Sequence, residues 1–290
     1  MSRAQAQRRQ IRLAGSALVG LILGCAGGAI AGPPLTAEWK ELAPGLETAA
    51  IRGDGKLFDK DAEITVLRAD PERWEPAFLC AAKMGDGRPL TAREWCEAHD
   101  LQAATNAGMF ATDGQTHVGY MRCGDYVNSS HVNSYQSIIA ISPKQPGLPR
   151  ARIYDLDLTT LKEVLENYAS AAQNLRLIQR PGVNRWSPQE RSWSEAALGQ
   201  DRTGRLLFIF SLTPFSMHEF NQILLNLPID LECAQHLEGG PEAQLYIRCG
   251  GFERELVGAY ETGFSEGNTP GSAWPIPNVL GIRARASRTP

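Results

Sequence analysis

His236 and Glu238 stand two residues apart in the run CAQHLEGGPEAQLY (Cys233–Tyr246), directly before Gly239, Gly240, Pro241 and Glu242. At i and i+2 of a strand, an imidazole and a carboxyl group project from one face. Such a pair can share a proton or a ligand, the minimum for general acid–base work. The two glycines supply a turn that lets another group come close, and Glu242 brings a second carboxyl group. The plainer reading of the same residues is a solvated strand end beside a turn that needs glycine.

Two more turns carry chemically useful residues. In AATNAGMFATDG (Ala103–Gly114), a small-residue run ends in Asn106, Ala107 and Gly108. The Asn106 amide can both donate and accept, and Gly108 permits close backbone approach, although asparagine before glycine is also ordinary turn chemistry. In NLRLIQRPGVNRW (Asn174–Trp186), Arg180 precedes Pro181 and Gly182. Its planar fork suits phosphate or carboxylate, with a surface salt bridge as the alternative. His117 and His131 occupy loops and, with His236, would be the donors of a metal-dependent hydrolase. No spacing of a structural zinc site is present, so the metal is left open and a divalent cation is the cofactor to consider.

Elements must hold these residues in place. Leu101–Thr105, Leu175–Gln179, Leu231–Leu237 and Gln244–Cys249 read as strands leading into or out of the three turns, within a series from Glu63–Arg68 to Val279–Arg283. Three capping boxes announce helices: TARE at Thr91, TLKE at Thr160 and SMHE at Ser216. Phe220, Ile223, Leu224 and Leu227 then form one apolar helix face. Strands and helices do not alternate regularly, so the expected class is α+β, a large mixed β-sheet with a few flanking helices in a single domain. The 233–249 region reads as a hairpin turning at Pro241. In that register Leu237 faces Leu245 and Cys233 faces Cys249, which would allow a cross-strand disulfide.

The N-terminus sets the compartment. Arg3, Arg8, Arg9 and Arg12 precede an uncharged stretch, Leu13–Ala37, with LVGLILG in its middle. This is the order of a secretory signal peptide; the apolar part is short for a membrane span, and an uncleaved membrane anchor is the alternative. ILGC would make Cys25 a lipidated first residue, whereas AIA (Ala29–Ala31) suits ordinary signal peptidase. The expected organisation is a leader over 1–31, a Pro/Gly-rich linker over 32–60, a domain over 61–285 and a tail over 286–290. Residues 1–31 hold four arginines and no acid, so the 29 basic residues fall to 25 against 32 acidic, a net charge of −7. A mildly acidic chain with no internal basic cluster is not a nucleic-acid binder. An exported product is expected, in the periplasm, anchored to the outer membrane or outside the cell, touching a membrane only through Cys25. Six cysteines, one of them in the leader, leave an odd five, so at least one is free or bonded to another chain.

In order, these motifs resemble the phosphodiester glycosidase family, over about Glu63 to Arg283. TNAGMF is similar to the family's Asn-x-Gly-x-Phe turn, HVGY to the Gly-containing segment after it, RTGRLLFIFS and SMHEFNQILL to a strand and the helix that follows. AQHLEGGPEAQLY lies where the family has a strand ending in Leu-Asp-Gly-Gly. Glu238 stands in place of that aspartate, and Pro241, Glu242 and Ala243 in place of a Gly/Ser-rich turn. The resemblance implies an exported hydrolase that cleaves a sugar–phosphate bond at the glycosidic carbon of a glycan phosphodiester. It implies Glu238 as acid/base with His236 as partner, Asn106 beside Gly108 as substrate orienter, and Arg180 with the Gly239 and Gly240 amides as phosphate cradle. His117 and Glu242 are further candidates. The rival reading is a non-catalytic glycan- or phosphoglycan-binding module on the same fold.

Overall fold

The computed structural model describes residues 35–259, 261 and 272–285. The chain divides into two units, Met1–Pro34 and Leu35–Pro290. The expected leader with Cys25, and the tail over 286–290, lie outside the described residues.

In chain order the strands begin with β1 (Lys40–Ala43), β2 (Leu46–Arg52), β3 (Glu63–Ala69), β4 (Trp74–Cys80), β5 (Ala103–Asn106) and β6 (Met121–Cys123). They continue with β7 (Tyr126–Ser129), β8 (Ser137–Pro143), β9 (Ala151–Asp155), β10 (Tyr168–Asn174), β11 (Arg176–Gln179) and β12 (Val183–Asn184). The last are β13 (Trp193–Asp201), β14 (Leu206–Phe215), β15 (Leu231–Gly239), β16 (Gln244–Cys249), β17 (Phe252–Val257) and β18 (Asn278–Ala284). The helices are α1 (Ala92–His99), α2 (Leu161–Asn167) and α3 (Met217–Asn226). All three expected capping boxes form: Thr91, Thr160 and Ser216 each accept from the third helical N–H, and the glutamate there accepts from the cap.

The α+β expectation holds, but the strands are shared among three antiparallel sheets and not gathered into one mixed sheet. The first has eight strands in the order β1-β2-β3-β14-β13-β15-β11-β12; the second runs β7-β6-β10-β8-β9 and the third β17-β16-β5-β18-β4. Twisted sheets of this many strands split and pack face to face, because burial on both sides gains more than further widening. The run LLFIF in β14 shows the result: Phe208 and Phe210 enter the core shared with the other sheets, while Leu207 and Ile209 face α3. Within the 32–60 stretch, read from the sequence as a linker with room for one strand, residues 40–52 form β1 and β2. Their short Ala/Thr-rich strands gain order from pairing with β3, where the buried Thr48 hydroxyl donates to the Val66 carbonyl at 3.1 Å.

The expected hairpin is corrected. β15 pairs with β13 and β11 in the first sheet, whereas β16 pairs with β5 and β17 in the third. A short 3₁₀ turn, Gly240–Glu242, carries the chain from one sheet to the next. The apolar parity was sound, because Cys233, Leu237, Ala243, Leu245 and Ile247 share one core. Stacked sheets bring inward-facing residues together just as a hairpin would, so parity alone cannot tell the two apart. Cys233 and Cys249 are therefore free thiols, as is Cys96, and the disulfide joins Cys80 of β4 to Cys123 of β6. A disulfide between sheets fits an extracytoplasmic, oxidising setting.

Candidate active site

A cleft of about 670 Å³ opens at the C-terminal end of β15. Its polar lining includes His236, Glu238, Gly239 and Glu242, and its walls include Met109, Phe110, Tyr135, Trp186 and Trp193. Four of the residues expected from the sequence thus meet in one cavity. β15 is bulged here: Ala197 faces His236 and Ala196 faces Glu238, leaving Leu237 as the extra residue. Bulges re-aim side chains at strand ends, which is how both groups reach the cavity.

His236 is 3% exposed, and its Nδ1 lies 2.6 Å from Glu195 Oε1 on neighbouring β13. The acceptor is a carboxylate, so Nδ1 carries the proton. The other Glu195 oxygen accepts from the Trp193 indole N–H at 2.6 Å. Both carboxylate oxygens are thereby committed and the ring is fixed at the edge of the cleft that His236 lines. Burial works against a charge on His236, but Glu195 outweighs it and raises the pKa above the ordinary imidazole value. The opposite holds for Glu238. Its removal from water, only partly offset by His236 and the Gly239 amide, pushes its pKa up to about 8. The cleft therefore pairs a carboxylic acid that is protonated at neutral pH with an imidazole biased towards the charged form. Glu242 is also shifted upward, by burial and by the nearby charge of Glu261.

Backbone geometry explains the glycines. A Cβ on Gly239 would sit 2.5 Å from Trp193 Cδ1, so glycine lets the indole lie against the strand and reach Glu195. Gly240 has φ +64°, the left-handed value that starts the turn. At Gly108, with φ +151°, an added Cβ would meet Asn174 Oδ1 at 2.1 Å and His117 Cε1 at 2.3 Å. That contact seats the turn from which Met109 and Phe110 wall the cleft.

The structure places the other expected residues as follows. Asn106 is 1% exposed; its Nδ2 donates to the Glu242 carbonyl at 2.9 Å and its Oδ1 accepts from the Gln244 N–H at 2.8 Å. Its amide clamps the turn and so helps to place Glu242. Arg180 lies at the other end of β15, ion-paired with Glu232 and donating to Gln200 Oε1 at 3.0 Å and the Ile153 carbonyl at 3.2 Å. The Gly239 N–H already donates to Glu238 Oε1 at 3.2 Å. No phosphate cradle of Arg180 with Gly239 and Gly240 is therefore formed. His117 is buried outside the cleft lining, with Nε2 donating to the Gln173 carbonyl at 2.8 Å and burial pushing its pKa down to about 4. His131 is exposed in its loop. Among the described residues, no group of three or more His, Cys, Asp or Glu is placed to hold a metal ion, so the three histidines do not form a metal centre.

Glu195 and Trp193 escaped sequence reasoning because WSEAALGQD did not read as a strand. The signal available was the Trp-x-Glu spacing, which puts an indole and a carboxylate on one face of any strand drawn there. Tyr135, Arg191 and Glu261, which also line the cleft, carried no pattern.

The profile of the phosphodiester glycosidase family matches residues 99–283. The chain belongs to the phosphodiester glycosidase family. The matched segment contains β5, the Asn106–Phe110 turn, all of β15 and the Gly240–Glu242 turn. The fold is similar to that of a zebrafish N-acetylglucosamine-1-phosphodiester alpha-N-acetylglucosaminidase catalytic domain auto-inhibited by its pro-peptide, with a TM-score of 0.58 at 14% identity over 86% of this chain and 87% of that one. It is also similar to a hypothetical protein from Synechocystis, TM-score 0.57 at 14% identity over 88% of this chain and 64% of that one. A Burkholderia pseudomallei putative exported protein aligns at TM-score 0.43 and 10% identity over 77% of this chain and 74% of that one. No curated protein matches.

Proposed function

We propose that the chain is an exported hydrolase that cleaves a sugar–phosphate linkage at the glycosidic carbon. The observation that carries this reading is Glu238, a carboxyl group held protonated to about pH 8 beside the ordered Glu195–His236 pair in an aromatic-walled cleft. The Glu238 acid gives its proton to the oxygen leaving with phosphorus as the bond from that oxygen to the anomeric carbon breaks. A water oxygen bonds to the same carbon, and the products are the free sugar and a phosphate monoester. Glu242 is the second carboxyl group and takes the proton of the incoming water. Trp186, Trp193 and Phe110 give the sugar ring apolar faces, and His236 with Arg191 supplies positive charge for the phosphate. Aspartate in the family and glutamate here differ by one methylene. The bulge at Leu237 supports the view that the strand end has been re-aimed around the longer side chain.

The compartment follows the leader and the disulfide: periplasm, outer-membrane lipoprotein through Cys25, or extracellular. The mature domain should hydrolyse a chromogenic sugar phosphodiester, and Glu238→Gln should lose that turnover by ~100-fold or more while staying folded, since an amide cannot deliver the proton. An active Glu238→Gln protein would remove Glu238 from the mechanism. Ligand binding without turnover in the parent would favour the non-catalytic glycan-binding module, a reading helped by the cleft's acidic lining of Glu190, Glu238, Glu242 and Glu261.

A further inference from the structure

Six residues before Glu238, Glu232 of β15 lines a second concavity of about 300 Å³, together with Arg150, Arg152, Arg180, Arg202, Thr203 and Gly204 among others. Its three carboxylates are already engaged. Asp70 faces Arg73 at 3.6 Å, Glu72 faces Arg150 at 3.5 Å, and Glu232 pairs with Arg180. Arg152 and Arg202 are different. Neither guanidinium has a hydrogen bond or ion pair among the described residues; Arg152 lies over the Tyr154 ring at 5.4 Å, and Arg202 is exposed at the β13–β14 turn. That turn is rigid, because the fully buried Asp201 carboxylate accepts from the Thr203 N–H at 2.9 Å and from Arg205 Nε at 2.6 Å.

We infer that this pocket is an anion-binding site for a phosphate group, separate from the cleft. Two unpaired guanidiniums, one carried on a hydrogen-bonded hairpin and one lying over an aromatic ring, offer forked donors matched to phosphate oxygens. The lining carries four arginines against three carboxylates, so its formal charge is positive by one. Six residue steps along β15 put the pocket ~20 Å from Glu238, from a rise of ~3.3 Å per residue. A glycan carrying phosphate at successive repeats could then hold one phosphate here while another linkage occupies the cleft. That polymer reading rests on the proposed function; the anion site does not.

The test is titration of the purified mature protein with inorganic phosphate at constant ionic strength, followed by calorimetry or amide chemical shifts, in the parent and in Arg152→Gln/Arg202→Gln. Saturable binding in the parent, weakened ~10-fold or more in the double variant, is expected from the loss of two charge-assisted contacts. Arg202→Gln alone, at an exposed position, guards against a folding defect and should weaken binding by a smaller factor. No saturable binding, or equal binding in parent and variants, overturns the site. Retention on a phosphodiester-linked polysaccharide, competed by phosphate, assigns the ligand to the polymer; binding of phosphate without such retention assigns it to the free anion. Turnover of a small chromogenic phosphodiester should be unchanged in both variants, so failure of this site and failure of the proposed function read out separately.

Discussion

Replacing Glu238 by glutamine should make the protein more stable, and more so as pH rises. The folded chain holds the Glu238 proton up to about pH 8, whereas the unfolded chain releases it near the ordinary glutamate value of 4.5. Between these values the folded state binds the extra proton, so the parent's contribution is intact below about 4.5 and is lost as pH rises through 8. At ~1.36 kcal/mol per pH unit the full window would be worth nearly ~5 kcal/mol, which partial exposure to the cleft reduces to about 2–4 kcal/mol. Glutamine has the shape of the protonated acid, can still accept the Gly239 N–H, and has no proton to lose. Urea unfolding of parent and Glu238→Gln between about pH 5 and 9 measures this directly. The two stabilities should be similar at the acid end, diverge in favour of the variant, and run parallel again above about pH 8. Curves that stay parallel throughout would mean that Glu238 titrates as an ordinary carboxylate, and the acid role would go with it.

Three other outcomes test the positioning groups. Glu195→Gln should lower the His236 pKa, since the charge that raises it is removed, and cut kcat by ~10²–10⁴; an NMR titration of the ring that finds no downward shift would contradict the pairing. Gly108→Ala should cost about 1–3 kcal/mol, because its methyl group meets Asn174 and His117 inside van der Waals distance, and a thermal melt equal to the parent's would show that the turn gives way freely. Arg180→Gln should leave KM for a small sugar phosphodiester unchanged and lower stability by about 1–3 kcal/mol through an unpaired Glu232; a raised KM would restore Arg180 to substrate binding.

Much of this arrangement could be read from residue types. The three helices were marked by local hydrogen-bond chemistry that operates without tertiary context, and each cap formed as drawn. Long apolar strands such as β14 and β15 were plain because burial on both faces selects bulky residues. β10 (YASAAQN) and β13 were hidden by the converse: alanine, glycine, serine and glutamine have weak strand preference, yet they fill positions where close sheets leave little room. Ala171, Ala172, Ala196 and Ala197 are all fully buried there. Losing β13 meant losing Glu195, so His236 was given Glu238 as its partner while its tightest hydrogen bond goes to the neighbouring strand. Arg180 and Asn106 were legible as polar residues at turns, but what a turn residue binds depends on chain brought in from elsewhere. For Asn106 that chain is the backbone of Glu242 and Gln244, and for Arg180 it is Glu232.

Oxygen-18 placement distinguishes cleavage at the glycosidic carbon from cleavage at phosphorus. The mature protein would be incubated with a sugar phosphodiester in water enriched in oxygen-18, and both products weighed by mass spectrometry. Attack at the anomeric carbon puts one heavy oxygen on the sugar and none on the phosphate monoester. Heavy oxygen in the phosphate product would show that the phosphorus–oxygen bond breaks instead, and the assignment of Glu238 as the acid at the glycosidic oxygen would be wrong.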